Sequence, residues 1–323
     1  MAKRAQPGMI AVQQSGSAMN ETNKRVDPAA PAVVITGATQ GVGKALAHEF
    51  ARDGYTLLLV ARDEAALAAT ASALTKAYNV EVKFATADLS TLEGCAKVEE
   101  ALRRHGLYAD ILVNNAASMT AGFFQDADPA TLRKIVDLNA RAVVDLTRRF
   151  LPDMIARRRG GILNVASVEG FMPVPYQATY AAAKALVLSL TRALAYETMG
   201  TGVRVSALAP GAVLTDMHAK AGAEYSRYVQ LFPVMNAEDV ARIGYRKFMR
   251  GRKIILTSWF NRLSVFARRF TPDLLLVPAM GWLFRVRDAE GNLQLPRAPA
   301  ERKDGSGHAR AGTSSGDGPS PPA

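Results

Sequence analysis

Two hydrophobic periods alternate along most of this chain. Short apolar runs rich in Val, Ile and Leu recur at 32–36, 55–60, 80–85, 111–113, 161–166, 203–208 and 254–257, too short for helices and therefore read as strands. Between them lie longer stretches whose apolar residues fall on one face of a helical repeat. These predict helices over 42–52, 64–78, 92–104, 129–138, 139–157, 178–199 and 237–250. Gly54, Gly160-Gly161, Gly200, Gly202 and Pro210-Gly211 punctuate the pattern. Strands that alternate with helices imply parallel pairing and helical crossovers. The predicted fold class is α/β: one doubly wound, seven-stranded parallel sheet with helices on both faces. It forms a single domain over 30–257 with a C-terminal helical extension at 258–288. Residues 1–29 and 289–323 are polar, without a period, and read as disordered tails. The stretch 211–235 has mixed polarity and reads as a mobile loop with short helices.

In such a sheet, ligands bind beyond the carboxyl ends of the strands. The turn Thr36-Gly-Ala-Thr-Gln-Gly-Val-Gly43, then Arg62, Asp88, Asn115, Ser167 and Pro210, all follow predicted strand ends. Gly37, Gly41 and Gly43 allow a tight turn and close approach of a pyrophosphate to a helix N-terminus, although their spacing is not G-x-G-x-x-G. Tyr180 and Lys184 are four residues apart, hence on one helix face, and an ammonium beside a phenol favours the phenolate. Each feature has an ordinary reading: a plain strand-to-helix turn, a surface pair, a strand-end Ser, a helix cap at Asp88. Their common address is what argues for a site.

Thr36-Gly-x-x-x-Gly-x-Gly43, Asn114-Asn-Ala116, Asn139, Ser167, Tyr180-x-x-x-Lys184 and Pro210-Gly-Ala-Val-Leu-Thr215, in this order and spacing, resemble the short-chain dehydrogenase/reductase family over about residues 30–257. Ala117 departs from the family pattern, which has Gly there, but keeps a small residue. The resemblance implies a Rossmann-fold, NAD(P)-dependent oxidoreductase acting on CH-OH or carbonyl groups. Tyr180 would be the general acid or base and Lys184 would lower its pKa and bind the nicotinamide ribose. Ser167 would hydrogen-bond the substrate oxygen, and Asn139 would hold a water linking Lys184 to solvent. Gly37, Gln40, Gly41, Val42 and Gly43 would surround the pyrophosphate. Asp88, Leu89, Asn115 and Ala116 would line the adenosine side. Pro210, Gly211, Val213 and Thr215 would run beside the nicotinamide.

At the second strand end, Val60-Ala-Arg62-Asp63, an acid directly at the strand end would select NAD through the ribose 2′-OH. Small Ala61 followed by Arg62 instead suits a 2′-phosphate, so NADP(H) is expected in preference to NAD(H), with Asp63 as a competitor. Met172, Val174, Tyr176, Met217, Tyr225, Tyr228 and Phe232 are candidates for an apolar substrate wall, which suggests a hydrophobic ketone, aldehyde or secondary alcohol.

Composition sets the remaining bounds. The 323 residues are 49% hydrophobic, enough for one large core. A single cysteine, Cys95, excludes an intramolecular disulfide, and the N-terminal stretch lacks an apolar signal core, so a cytoplasmic location is expected. No metal cluster is suggested. The net charge of +11 is concentrated: Arg242 to Arg287 carries eleven basic residues and one acid, Asp273. Trp259, Leu263, Phe266 and Phe270 fall on one face of a predicted helix, and Thr271-Pro-Asp273 opens a second. These helices either pack over the pocket or a subunit contact, or make a peripheral membrane contact through 258–287. No nucleic acid motif is present. Apolar faces near 140–151 and 186–194 suggest a homo-oligomer. A catalytically silent nucleotide sensor and a membrane-associated scaffold remain as alternatives to the enzyme.

Overall fold

The computed structural model describes residues 29–214, 217, 221–223, 225–288 and 291–296. Thr215 and nearly all of the two expected tails lie outside these described residues. Seven strands form one parallel sheet in the order β3-β2-β1-β4-β5-β6-β7: β1 Ala30–Thr36, β2 Leu57–Ala61, β3 Val82–Thr86, β4 Leu107–Asn114, β5 Gly160–Val165, β6 Val203–Ala209 and β7 Ile254–Leu256. The α/β expectation therefore holds, strand for strand.

Alternation along the strands builds two cores. Val33, Ile35, Leu57 and Leu59 face one side of the sheet; there they meet α1 (Gly41–Arg52), α2 (Glu64–Tyr78) and α8 (Ala237–Met249). Ala32, Val34, Leu58 and Val60 face the other, against α3 (Leu92–Arg104), α5 (Ala142–Ala156) and α6 (Ala178–Glu197). Both faces are covered, which is why the strands read as continuous apolar runs. Each fully buried Leu or Phe contributes about 1.5–3 kcal/mol. Gly160 and Gly161, read as a break before the strand, both belong to β5, and Phe248 of α8 packs on Gly161 so closely that a Cβ would lie 2.7 Å from its ring. Asp63 caps α2 as expected, its Oδ1 accepting from Ala66 N at 3.0 Å.

Between 129 and 157 the chain departs from the predicted pair of helices. α4 (Pro129–Val136) and α5 are joined by one π-helical turn, Asp137–Arg141, rather than by a simple break. A π turn leaves no signature in hydrophobic spacing. In the 211–235 stretch, α7 (Arg227–Leu231) is the short helix, and a parallel bridge between Val213 and Met235 ties the two ends of the loop. The extension contains α9 (Trp259–Ala267) and α10 (Asp273–Phe284), the latter running through Pro278. Phe270, expected on the first of these helices, lies beyond its end. Structure continues past residue 288, where a tail was expected: Arg287 and Leu293 pair as an antiparallel bridge. No helix among the described residues is long and apolar enough to cross a membrane.

Candidate active site

β1 and β4 are neighbours although β2 and β3 intervene in the chain, so the connections leave their carboxyl ends in opposite directions and open a crevice. Thr36 bridges it. Its Oγ1 donates to Val113 O at 3.2 Å and accepts from Asn115 N at 2.9 Å and Ala116 N at 3.0 Å. Asn115 Nδ2 donates back to Thr36 O at 2.9 Å and Gly37 O at 3.2 Å. The glycine turn is thus held from behind by β4. Gly37 and Gly41 have φ of +64° and +53°, which favour glycine. Gly43 sits behind the turn, where a Cβ would lie 2.3 Å from both Asn115 Nδ2 and Gly37 O. Its role is packing, whereas the sequence reading had it touch the cofactor.

A cavity of about 410 Å³ runs along this edge of the sheet. Gly37, Gln40, Gly41 and Val42 line its middle, at the positive end of α1. Arg62, Asp88 and Leu89 line it beyond β2 and β3; Asn115 and Ala116 follow β4; Ser167, Tyr180, Lys184, Pro210, Gly211 and Val213 line it beyond β5 and β6. Length, glycine turn and helix start fit a dinucleotide, with its adenosine toward β2 and its nicotinamide toward α6. Asp88 is not the cap of α3: that is Thr91, whose Oγ1 accepts from Gly94 N. Burial pushes the Asp88 carboxyl up, but hydrogen bonds from Ser90 and the charges of Lys134 and Arg62 hold it below its ordinary value.

Asn139 lies in the π turn, fully buried, with its side chain committed: Nδ2 donates to Ser118 O at 2.7 Å and Oδ1 accepts from Ser118 N at 2.9 Å. The side chain of Asn139 is therefore fully engaged in holding this loop. It fixes Ser118 between Ala117 and Met119, two residues of the cavity wall.

The opposite corner is buried. Ser167 follows β5 by two residues and caps a 3₁₀ turn over Val168–Phe171, its Oγ accepting from Glu169 N at 3.2 Å. That turn rests on the backbone of α6, since a Cβ on Gly170 would lie 2.7 Å from Lys184 C and O. Lys184 Nζ donates to Val165 O at 2.8 Å and stands 5.6 Å from the centre of the Tyr180 ring. Burial lowers the Lys184 ammonium to about 8, with Glu169 opposing. Burial also pushes the Tyr180 phenol above its ordinary value; the Glu169 charge adds to this, and a hydrogen bond with Ser167 opposes it. Desolvation of the phenolate is the largest cause of this upward shift, and Lys184 is not among the groups that oppose it.

Glu169 was missed at the level of sequence. Burial raises its carboxyl to about 8, with Lys184 opposing. A signal existed: between Arg159 and Arg192, Glu169 and Lys184 are the sole charged residues.

A parallel α/β sheet with a dinucleotide-shaped cleft, ending at a buried Ser, Tyr and Lys, defines a class of nucleotide-dependent oxidoreductases. Within it, the chain belongs to the short-chain dehydrogenase/reductase family: the family profile described as short chain dehydrogenase matches residues 31–226. Very-long-chain 3-oxoacyl-CoA reductase-B of Danio rerio is 35% identical over 188 residues, 57% of this chain and 60% of that protein. The chain therefore matches about three fifths of the length of such curated relatives. An 11-beta-hydroxysteroid dehydrogenase A of Sesamum indicum is 30% identical over 274 residues, covering 80% of this chain and 76% of its own. Among solved structures, a Sphingobium yanoikuyae short-chain dehydrogenase in complex with NADPH is 32% identical, with a TM-score of 0.67 over 74% of this chain and 94% of that one. A Gluconobacter frateurii L-sorbose reductase complexed with NADPH and L-sorbose is 28% identical, with a TM-score of 0.63 over 71% and 96%.

This buried corner predicts a pH signature in stability. With its carboxyl raised to about 8 from 4.5, folded Glu169 binds more protons than unfolded Glu169 across that window, so stability falls as pH rises through it. Lys184, lowered to about 8 from 10.5, binds fewer protons when folded, so stability recovers above pH 8. In thermal unfolding between pH 5 and 8, Glu169→Gln should become progressively more stable than the wild type; a constant difference between the two would refute the assignment.

Proposed function

We propose that this protein is an NADP(H)-dependent oxidoreductase that moves a hydride between the nicotinamide and an apolar ketone, aldehyde or secondary alcohol. The carrying observation is that Ser167, Tyr180 and Lys184 meet at one end of a cleft whose middle is the glycine turn. The nicotinamide supplies the hydride; the chain supplies position and a proton. Tyr180 delivers the proton to the carbonyl oxygen, and its raised pKa keeps the phenol protonated in the free protein. Glu169 N–H occupies a lone pair of Ser167 Oγ, which leaves the hydroxyl proton to be donated to the substrate oxygen. Lys184, charged below about pH 8, holds the ribose beside Tyr180. A water relay at the π turn would rest on the main-chain carbonyl of Asn139, since its side chain is engaged.

Two features favour NADP(H). Arg62 borders the cavity at the end of β2, and Asp63, its expected competitor, is turned to the start of α2 as a cap. Both NADPH-bound structures above belong to similar chains. The substrate side is apolar: Met217 lines the cleft, and Met172, Val174, Tyr176 and Tyr228 cluster with Met280, Leu283 and Phe284 of α10. Similar proteins are named for 3-oxoacyl-CoA and for bulky-bulky ketones. Val144 on α5 and Leu186 on α6 are exposed, which suits a homo-oligomer through those helices.

A specific observation also supports a peripheral contact with an anionic membrane surface by a cytoplasmic protein. Trp259, Leu263 and Phe266 of α9 face solvent, as do Leu274 and Leu275 of α10, Leu274 with 85% of its surface open. Arg268 joins the helices through Asp273 at 2.7 Å, and Arg269, Arg285 and Arg287 lie on the same extension. Apolar side chains flanked by arginines suit the boundary of an anionic bilayer.

Purified protein should oxidise NADPH with bulky apolar ketones, and Tyr180→Phe should lower kcat by about 10²–10⁴-fold while NADPH still binds; undiminished turnover would remove Tyr180 from its role. Arg62→Ala should weaken NADPH at least tenfold and leave NADH within about twofold, as read by nicotinamide fluorescence, each charge-assisted contact being worth about 1.5–3 kcal/mol; equal losses would mean that Arg62 does not read the 2′-phosphate. The full chain should sediment with phosphatidylglycerol-containing vesicles but not with neutral phosphatidylcholine vesicles, and Phe266→Asp with Leu274→Asp should abolish the binding. Sedimentation unaffected by those changes would rule out this surface.

A further inference from the structure

Resting on that reading of the cleft, we propose that Glu169 is a specificity residue: its carboxyl donates a hydrogen bond to a second oxygen of the substrate, so the preferred substrates are oxygen-bearing ketones such as keto-esters, diketones or hydroxyketones.

The argument begins with an unpaired atom. Glu169 keeps 5% of its surface, and its Oε2 is buried without a hydrogen-bond partner. A buried carboxyl oxygen left unpaired costs about 1–3 kcal/mol or more. The fold nevertheless holds it firmly. Its own N–H is fixed on Ser167 Oγ, and the following Gly170 lies against the Lys184 backbone with no room for a side chain. The carboxyl borders the same cavity as Ser167, Tyr180, Lys184 and Met217. A residue that lines a ligand cleft with a buried carboxyl oxygen left unpaired can take the missing partner from the ligand.

Position decides which ligand. The groups that sense the charge of Glu169 are Tyr180 and Lys184 on α6 and Tyr228 on α7. Tyr228 stacks on Phe284 at 4.4 Å, in the apolar cluster with Val174 and Tyr176. Glu169 therefore lies at the Tyr180 end of the cleft, with Ser167, Lys184 and Met217 as fellow lining residues. The adenosine end, at Arg62 and Asp88, is at the far end of the cleft.

Chemistry decides what the partner must be. Lys184 Nζ is spent on Val165 O rather than forming an ion pair with Glu169, and desolvation keeps the carboxyl protonated at neutral pH. A neutral carboxylic acid is a donor as well as an acceptor. Facing a ketone held by Ser167 and Tyr180, it can satisfy itself on another oxygen of the same molecule. A plain hydrocarbon ketone offers no such atom and would bury the acid unpaired. A site built to pair a polar group discriminates strongly against analogues that lack it.

The test compares two ketones of similar size, a β-keto ester and an alkyl ketone, with wild type, Glu169→Gln and Glu169→Leu, all as the full chain. Wild type should favour the keto ester in kcat/KM. Gln keeps a donor, so its preference should stay within about threefold. Leu fills the space without a donor, and its preference should fall at least tenfold. Alkaline loss of the preference near pH 8 should be present in the wild type and absent in Glu169→Gln. NADPH titration by fluorescence accompanies each variant. A preference unchanged by Leu overturns the proposal, as does an equal loss on both ketones with weakened NADPH, which would place Glu169 on the cofactor. Failure of the wild type to reduce either ketone, despite NADPH binding, would overturn the oxidoreductase reading and this proposal with it.

Discussion

The hydroxyl of Thr36 joins two strands at the point where the sheet reverses its winding, and the functional edge is organised from there. It receives the backbone of Asn115 and Ala116 and donates to Val113, so β4 is locked to the end of β1. Asn115 then reaches back to the carbonyls of Thr36 and Gly37. A cleft between strand ends would otherwise be the loosest part of such a sheet. Here the glycine turn is clamped from behind, and Gly43 is glycine because that clamp leaves no space for a methyl group. The strands further out extend the same frame: Asn114 donates to Asn164, and Asn164 to Thr191 of α6. A chain of buried amides and hydroxyls thus runs from β4 to the helix that carries Tyr180 and Lys184.

At the far end of that chain, electrostatics replace geometry as the governing constraint. One acid and one base are buried within a turn and a helix that touch backbone to backbone. Desolvation disfavours the charged form of both, so each is driven toward neutrality at pH values near 8. Tyr180 sits in the same field and is pushed the same way as any buried phenol. The corner can therefore keep a protonated Tyr, a donor Ser and a protonated carboxyl together at neutral pH, an arrangement suited to giving protons and hydrogen bonds to an incoming carbonyl.

The C-terminal extension has two faces with different partners. Phe284 and Leu276 pack inward, and Phe284 stacks on Tyr228 of α7. Trp259, Phe266 and Leu274 point outward among arginines. Arg227 lies over the Trp282 ring at 4.1 Å, so α7 and α10 are also joined at the surface. The segment that packs on Tyr228 and Val174 is continuous with the segment that presents an apolar surface to the outside.

The sequence by itself determined the class of fold, the order of the strands along the chain and most of the cleft. Period-2 and period-3.6 patterns depend on local geometry, and every residue at a strand's carboxyl end inherits the same edge once the sheet is parallel. Asp63 as a cap and the Tyr180–Lys184 face could be read for the same local reason. What only the tertiary structure decided depends on neighbours far apart in the chain. Gly43 proved to be packing, because Asn115 lies 72 positions away. Asn139 proved to hold Ser118, because a π turn brings its side chain to that loop. The phenol of Tyr180 moved up rather than down, and Glu169 became part of the site, because desolvation is a property of the assembled corner: spacing can place an ammonium beside a phenol, but only packing removes the water that would have made the pairing cheap.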